Sequence, residues 1–174
     1  KRIGVQSPLV NGKLEEIFQI IENSVISVRK MSSELRPAIL YNLGLKEAVE
    51  WQMKQNLEPA GIKGSFRLIP ADLKIDDKYS IVLFRIIQEA FTNIIRHSGA
   101  DKANTRITRF LSYIELVIND NGKGIDAEAV NDPKSFGIAG IKERVRNISG
   151  QFRITGVKDR GTTLTVRIPM NKVQ

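Results

Sequence analysis

Two polar residues near the middle of the chain, Glu89 and Asn93, have a spacing that would let their side chains bind one ligand together. They lie four residues apart in a segment with helical apolar periodicity, so they stack one turn apart on one face of the predicted helix. The opposite face is predicted to point into the core and comprises Phe84, Ile87, Phe91, Ile94 and Ile95. A carboxylate and a carboxamide oxygen so placed can together hold a hard cation such as Mg²⁺, directly or through its waters. A solvated helix face with a local Arg85–Glu89 ion pair explains the same pattern, and for this segment alone it is the favoured explanation.

A second candidate is the sequence Asn119-Asp120-Asn121-Gly122-Lys123-Gly124, which directly follows the apolar stretch 114–118 of a predicted strand. An aspartate at the end of a strand can accept a hydrogen bond from the exocyclic amine of a nucleobase. Gly122 and Gly124 have no side chains, so their backbone N–H groups can come close to a ligand. Asp-Asn-Gly also forms ordinary turns, so this segment by itself is weak evidence for a site.

Two more glycine-containing segments follow along the chain. Gly137 and Gly140 open a predicted helix that also carries Lys142, and the free N–H groups and dipole of a helix N-terminus favour phosphate binding. A flexible hinge is the simpler explanation of these glycines. Gly161-Thr162 opens the last predicted strand, where a threonine hydroxyl can reach a base or a base-bound water, although β-propensity also explains a threonine there.

The elements that must position these residues alternate between helices and strands. A seven-residue apolar repeat predicts a helix over 13–35 that packs along a partner helix or on its own domain, and Pro37 follows its end. After a short connector, helices are predicted at 45–56, 76–97 and 138–148, and a polar loop at 121–137. Strands are predicted at 64–69, 103–110, 113–119, 151–156 and 162–169. The predicted fold class is α+β: a two-layer α/β sandwich with a mixed, mostly antiparallel sheet, preceded by one long N-terminal helix.

The composition limits the classes of function. The chain has 174 residues, with 27 Lys and Arg against 19 Asp and Glu, and a formal net charge of +8. It has no cysteine and a single histidine, His97, which excludes a disulfide framework, a cysteine nucleophile and any thiolate or multi-histidine metal site. No apolar run approaches the ~20 residues of a membrane span, so we expect a cytoplasmic domain, whose parent protein a membrane anchor could still tether. The charge suggests a polyanionic ligand, although a solvated basic surface is simpler, and the 6% aromatic content counts against a nucleic-acid stacking platform.

Each of the four segments is ambiguous, but their order along the chain is specific. They resemble, in sequence, the N box (here 86–98), the G1 box, the G2 box and the closing Gly-Thr of the GHKL or Bergerat ATP-binding domain. Sensor histidine kinases, gyrase and MutL-type proteins share this domain. The resemblance extends over residues 35–170 and implies the Bergerat fold with ATP as its ligand.

A narrower resemblance is to the NarX/DesK-like histidine kinases. Leu35-Arg36-Pro37 and Leu43-Gly44-Leu45 are similar to the segment that joins the two domains of these kinases, and 140–145 is similar to their second glycine box. This implies two domains: residues 1–36 as the second helix of an incomplete dimerisation and phosphoacceptor bundle, and residues 37–174 as the ATP-binding catalytic domain. Tyr41 stands where the family usually has an aspartate, and residues 1–12 contain no phosphoacceptor motif.

The resemblance also implies a role for each candidate residue, with ATP and Mg²⁺ as cofactors. Asn93 is implied to ligate Mg²⁺, and Glu89 to orient the metal's water or to act as the general base toward the acceptor imidazole. Asp120 is implied to accept the adenine amine, with Thr162 supporting the base. The remaining implied contacts are Gly122 and Gly124 beside the ring, Gly137 and Gly140 in the lid over the phosphates, and Arg96 and Lys142 at the phosphates.

The implied function is that of the ATP-binding catalytic region of a two-component sensor protein-histidine kinase, which transfers the γ-phosphate of ATP to a histidine outside this chain. The implied partners are the receiver domain of a response regulator and a second kinase subunit bound through the helical bundle, with no direct contact to nucleic acid. Because the phosphoacceptor histidine is missing, the chain alone is expected to be inactive in transfer. Two alternatives stay open at this point: a GHKL serine kinase of the anti-sigma type and a basic nucleic-acid-binding module.

Overall fold

A computed structural model describes residues 38–132 and 135–170, together with four isolated residues of the preceding segment, Lys13, Ile17, Phe18 and Ile21. The predicted helix at 13–35 and the predicted domain 1–36 therefore lie almost wholly outside the described residues. That helix and the domain boundary at residue 36 stay predictions.

The described part of the chain forms five α-helices, of which two were not predicted. They are α1 (Ala38–Leu43), α2 (Leu45–Gln52), α3 (Asp77–Asn93), α4 (Ala127–Asn131) and α5 (Phe136–Asn147). One π-helical turn extends α2 over Met53–Leu57, and another extends α3 over Ile94–Ser98. The unpredicted helix α1 replaces the expected connector because its Leu40 is buried in the core, and α4 lies inside the expected loop at 121–137.

Five strands within the same ranges form one sheet in the order β1-β2-β3-β5-β4. The strands are β1 (Lys63–Ile69), β2 (Lys102–Arg109), β3 (Tyr113–Asp120), β4 (Gln151–Val157) and β5 (Gly161–Pro169). β1 and β2 are parallel, and the other three neighbouring pairs are antiparallel. The predicted mixed, mostly antiparallel sheet is thereby confirmed. α3 connects the two parallel strands, and the last strand, β5, lies inside the sheet.

The helices cover one face of the sheet, and the core lies between the two layers. Ile107 of β2 and the α3 residues Phe84 and Phe91 are at most 1% exposed, as expected for a two-layer sandwich. Ile95, which the helical periodicity assigned to the core, is instead 37% exposed. Ile95 lies in the π-helical turn Ile94–Ser98 at the end of the helix.

None of the helices in the described ranges is both long enough and apolar enough to cross a lipid bilayer.

Candidate functional site

A cavity of about 550 Å³ opens between α3, α5 and the inner face of the sheet. Apolar side chains from the sheet, from α5 and from the loop after β3 form much of its lining: Ile118, Ile125, Ile138, Ile141, Ile154 and Leu164. A few polar groups from different elements converge on the same space. This size and this mixture of groups are typical of sites for small ligands and cofactors.

α3 brings Asn93 to one edge of the cavity and places Glu89 one turn before it, outside the lining. Both side chains are half-buried, whereas the helical pattern predicted an exposed line, because the start of α5 lies against them. A side chain at Gly137 would collide with Oε1 of Glu89, and its Cβ would lie 3.3 Å from Oδ1 of Asn93. Glycine at position 137 therefore permits the N-terminus of α5 to approach both polar groups.

Asp120 ends β3 at the cavity wall and is only 7% exposed. Its Oδ1 accepts a hydrogen bond from the N–H of Gly122 at 2.8 Å, which is the turn that aspartate characteristically forms with the residue two positions later. Oδ2 accepts no hydrogen bond from any described residue. Oδ2 is not one of the fully buried atoms of the described residues, and Asp120 lines the cavity, so a donor group of a ligand in the cavity could bind this oxygen.

Ser98 holds the loop after β3 against the end of α3. Its buried hydroxyl donates to the carbonyl of Ile94 at 2.7 Å and accepts the N–H of Ala100 at 3.0 Å. Its carbonyl oxygen accepts the N–H of Lys123 at 2.9 Å, and a side chain at Gly122 would collide with that same carbonyl. The side-chain position of Gly122 thus points at Ser98 and not into the cavity. Ser98 has no role among those predicted from the sequence, where its only signal is its place between the predicted helix and Gly99.

Asn121 ties the same loop to the start of β2. Its Oδ1 accepts the N–H groups of Asp101 and Lys102 at 3.2 and 2.9 Å, and its Nδ2 donates to Oδ1 of Asp101 at 2.6 Å. This last hydrogen bond lowers the pKa of the Asp101 carboxyl below its ordinary value. The loop that directly follows the cavity-facing Asp120 is therefore fixed on two sides.

Gly161 lets the start of β5 lie very close to the end of its neighbour β3. Its φ is 101°, and a side chain there would overlap the backbone carbonyl of Asp120. This close approach brings Thr162 into the cavity wall beside Asp120. Gly124 has a φ of 84°, and its Cβ would lie 2.5 Å from the carbonyl oxygen of Val157, so the loop also lies against the end of β4.

Six of the ten residues predicted for the site line the cavity: Asn93, Arg96, Asp120, Gly124, Gly137 and Thr162. The other four, Glu89, Gly122, Gly140 and Lys142, do not line it. Lys142 donates from Nζ to the carbonyl of Val130 at 3.0 Å, which links α5 to α4. A side chain at Gly140 would meet only the flexible end of Arg144, so packing does not require glycine there.

Across the described ranges, no group of three or more His, Cys, Asp or Glu side chains could hold a metal ion by itself. A cation at this cavity would need oxygen atoms from a ligand or from water in addition to one or two protein groups. That is the usual environment of Mg²⁺ at nucleotide phosphates.

Three comparisons with known proteins agree with this geometry. Residues 79–172 match the family of histidine kinase-, DNA gyrase B-, and HSP90-like ATPases. The chain is 32% identical over 158 residues to the signal transduction histidine-protein kinase/phosphatase DegS of Brevibacillus brevis, which covers 91% of this chain and 41% of DegS. It is also 32% identical over 164 residues to the sensor histidine kinase ComP of Bacillus subtilis, covering 92% of this chain and 21% of ComP. The solved structure of the histidine kinase AdeS of Acinetobacter baumannii aligns with a TM-score of 0.62 at 17% identity, over 97% of this chain and 88% of AdeS.

The chain belongs to the family of histidine kinase-, DNA gyrase B-, and HSP90-like ATPases, because the match covers more than half of its residues. The predicted ATP-binding catalytic region of a histidine kinase is confirmed by this match and by the kinase relatives. Neither the serine kinase of anti-sigma type nor the nucleic-acid-binding module is favoured by them. The chain spans less than half the length of DegS and of ComP.

Proposed function

We propose that this chain serves as the catalytic region of a two-component sensor protein-histidine kinase, which transfers the γ-phosphate of ATP to a histidine outside the chain. The observation that carries the proposal is the buried Asp120, whose Oδ1 is fixed by Gly122 while Oδ2 lacks a donor. An amine in the plane of a purine ring would supply that donor. The names of the kinase relatives support the same reaction.

In this proposal the adenine ring lies between the apolar side chains of the cavity, with its exocyclic amine donating to Oδ2 of Asp120. Thr162, beside Asp120 in the wall, supports the base through its hydroxyl. Gly124 leaves space beside the ring, and Gly122 acts by keeping the loop close to Ser98. Burial of the ring supplies affinity, while the single charge-assisted hydrogen bond supplies selectivity for an amine.

The phosphates then extend toward α3 and the start of α5. Asn93 and Glu89 would hold Mg²⁺ there together with phosphate oxygens, in accord with the lack of a metal cluster among the described side chains. The ion, when bound, neutralises negative charge on the phosphoryl oxygens. Arg96, which is exposed at the cavity, adds positive charge at the phosphates. Lys142 does so only if it leaves the carbonyl of Val130.

Glu89 is the proposed general base, or the group that orients a water, at the acceptor imidazole. Its Oε1 lies against Gly137, so an acceptor reaches this oxygen only when the start of α5 moves aside. Gly137 and Gly140 would then belong to a lid over the phosphates. Phosphoryl transfer has a loose transition state with charge on its oxygens, so positioning and electrostatics supply most of the catalysis.

The phosphoacceptor and the partners lie outside the described residues in this proposal. Residues 1–36 would form the second helix of the dimerisation and phosphoacceptor bundle, and residues 37–174 the ATP-binding domain. A second kinase subunit would complete the bundle, and the receiver domain of a response regulator would take the phosphoryl group. His97, the only histidine of the chain, lines the cavity as part of its wall. We therefore expect the chain alone to bind ATP without phosphorylating itself.

Isothermal titration calorimetry with ATP, in the presence and absence of Mg²⁺, tests the nucleotide part of the proposal. We expect saturable binding that is stronger with Mg²⁺, and no binding under either condition would refute the proposal. Incubation with γ-labelled ATP followed by acid treatment tests the second part. Stoichiometric acid-labile label on the isolated chain that disappears in His97→Gln would overturn the role given to His97.

A further inference from the structure

The face of the sheet opposite the helices is open and polar. The cross-strand register places residues of all five strands on it in rows, such as Arg67, Arg106, Val117, Thr165 and Arg153 across the middle. Residues on the other side of the same strands, such as Ile107, belong to the core, so this outer face is not covered by the described helices. We call the outward-pointing residues of β1–β5 the outer face.

The outer face is strongly basic. Six of its residues are exposed cations: Lys63, Arg67, Lys102, Arg106, Arg153 and Arg167. Its one carboxylate is Glu115, so these strand positions carry a net charge of +5, more than half of the +8 of the whole chain. The scatter of cations along the sequence therefore becomes a concentration on one surface, because alternate strand positions share a face.

Three of the cations on the outer face are not neutralised by described neighbours. Glu115 binds Arg167 at 2.8 Å, and the charges of Lys63 and Lys102 act on the nearby carboxylate of Asp101. Arg67, Arg106 and Arg153 form no ion pair with any described residue. Since they span the sheet from β1 to β4, about 19 Å at the usual strand spacing, a broad anionic surface would satisfy them together.

The chemistry of the outer face favours one kind of anionic partner. A stable protein interface is centred on apolar and aromatic anchors, whereas the middle of this face offers only the half-buried Val117. A single-stranded nucleic acid would need exposed aromatic rings. Tyr113 supplies the aromatic ring of this face. Its ring stacks on that of Phe110 with the centroids 4.6 Å apart, and Cζ of Arg167 lies 5.3 Å from the centroid of the Tyr113 ring. An anionic lipid headgroup layer requires neither apolar anchors nor exposed aromatic rings, because each basic side chain near the leaflet adds its own electrostatic attraction to the binding free energy.

We propose that the outer face docks on an anionic phospholipid surface through Arg67, Arg106 and Arg153. The ATP cavity lies on the opposite side of the sheet, so a docked chain keeps its nucleotide site accessible. Membrane docking and nucleotide binding are therefore separable in experiment, and the docking does not depend on the proposed kinase reaction.

Co-sedimentation of the full chain with vesicles of equal parts phosphatidylglycerol and phosphatidylcholine tests this proposal. We expect binding at low salt, weakening above about 0.1 M as the Debye length falls below ~10 Å, and none to phosphatidylcholine alone. The triple variant R67Q/R106Q/R153Q should lower the partition coefficient by about 100-fold, since each basic residue near an anionic leaflet contributes roughly fivefold. A matched triple variant with the same net charge, K54Q/K74Q/R146Q, removes exposed cations of other surfaces and should lose less than about fivefold.

The affinity for ATP serves as the folding control and should be unchanged in both triple variants. Equal losses in the two variants would overturn the proposal, because they would show that total charge and not this face determines binding. Absence of binding to the phosphatidylglycerol vesicles would overturn it as well. Tighter binding of a DNA duplex or single strand that R67Q/R106Q/R153Q abolishes would replace the lipid surface by a nucleic acid as the partner.

Discussion

Replacement of Asp120 by asparagine isolates the proposed adenine contact. The carboxylate has one oxygen occupied by the N–H of Gly122 at 2.8 Å and one without a donor. Asparagine has only one oxygen, so it can serve either Gly122 or the adenine amine. If the oxygen stays with Gly122, the amide N–H₂ faces the amine of the ligand. If the side chain rotates, the N–H₂ faces the N–H of Gly122 and the turn loses its hydrogen bond.

In both orientations one hydrogen bond to a charged group is lost, and such a bond contributes about 1.5–3 kcal/mol. The affinity for ATP should therefore fall by roughly 10- to 150-fold. Inosine triphosphate, which has a carbonyl oxygen in place of the adenine amine, should show the opposite preference. The amide N–H₂ of the variant can donate to that oxygen, whereas the wild-type carboxylate repels it.

The assay is calorimetric titration of wild type and D120N with both nucleotides, with D72N as the matched control because Asp72 is exposed and lines a different cavity. The ratio of ATP to inosine triphosphate affinity should fall in D120N and stay at the wild-type value in D72N. A wild-type ratio in D120N would refute the assignment of the adenine contact to Asp120, even if both nucleotides bound more weakly.

Three further predictions concern transfer, stability and pH. E89Q should abolish transfer to an acceptor histidine supplied on a separate bundle helix while ATP affinity, measured by calorimetry without Mg²⁺, changes little; retained transfer would exclude the role as base. G161A should lower the free energy of unfolding in urea by more than about 2 kcal/mol, because its side chain meets backbone at positive φ, whereas G99A, at φ 65° in open space, should cost about 1 kcal/mol. The pKa of the Asp101 carboxyl is lower in the folded state than in the unfolded state. The carboxylate therefore stabilises the fold at any pH above the unfolded-state pKa, and this stabilisation is lost as the pH falls through the folded-state pKa. N121A should raise the pKa of Asp101 in an NMR titration and should remove the loss of stability that its protonation causes in acid. An unchanged pKa would show that the hydrogen bond from Asn121 does not lower it.

The motifs predicted much of the site because each combines a residue type with a backbone requirement. Asp120 and Thr162, far apart in sequence, were both assigned to the base and do line one cavity wall. Gly122 and Gly124 were predicted to lie close to a ligand, and this stays a prediction, whereas the contacts that Gly122 and Gly161 make within the protein were not predicted. Gly122 approaches Ser98 and Gly161 approaches Asp120, so both serve contacts between backbone segments. Sequence spacing cannot reveal such contacts, because they depend on how separate elements cross.

The helical periodicity located α3 well and failed where the helix changes its geometry. A period of 3.6 residues places Ile95 in the core, whereas the side chain is exposed in the π-helical turn that ends the helix. In the same turn, the carbonyl of Ser98 contacts the loop that directly follows Asp120. The basic outer face was equally invisible in the sequence, because it forms only when the register aligns Arg67 with Arg106. Residues 1–36 lie almost wholly outside the described residues, so the predictions made for them stay predictions.

The position of β5 has a consequence for the order in which the molecule is made. β5 is the last of the described strands along the sequence, yet it lies between β3 and β4 and supplies Thr162 and Leu164 to the cavity. During synthesis on the ribosome, β1–β4 can emerge with a gap in the sheet where β5 belongs. The cavity cannot close until that gap is filled, so nucleotide binding should be the last property that the nascent domain acquires. A ribosome-stalled chain that ends before Gly161 should therefore expose the edges of β3 and β4 to chaperones and bind no ATP.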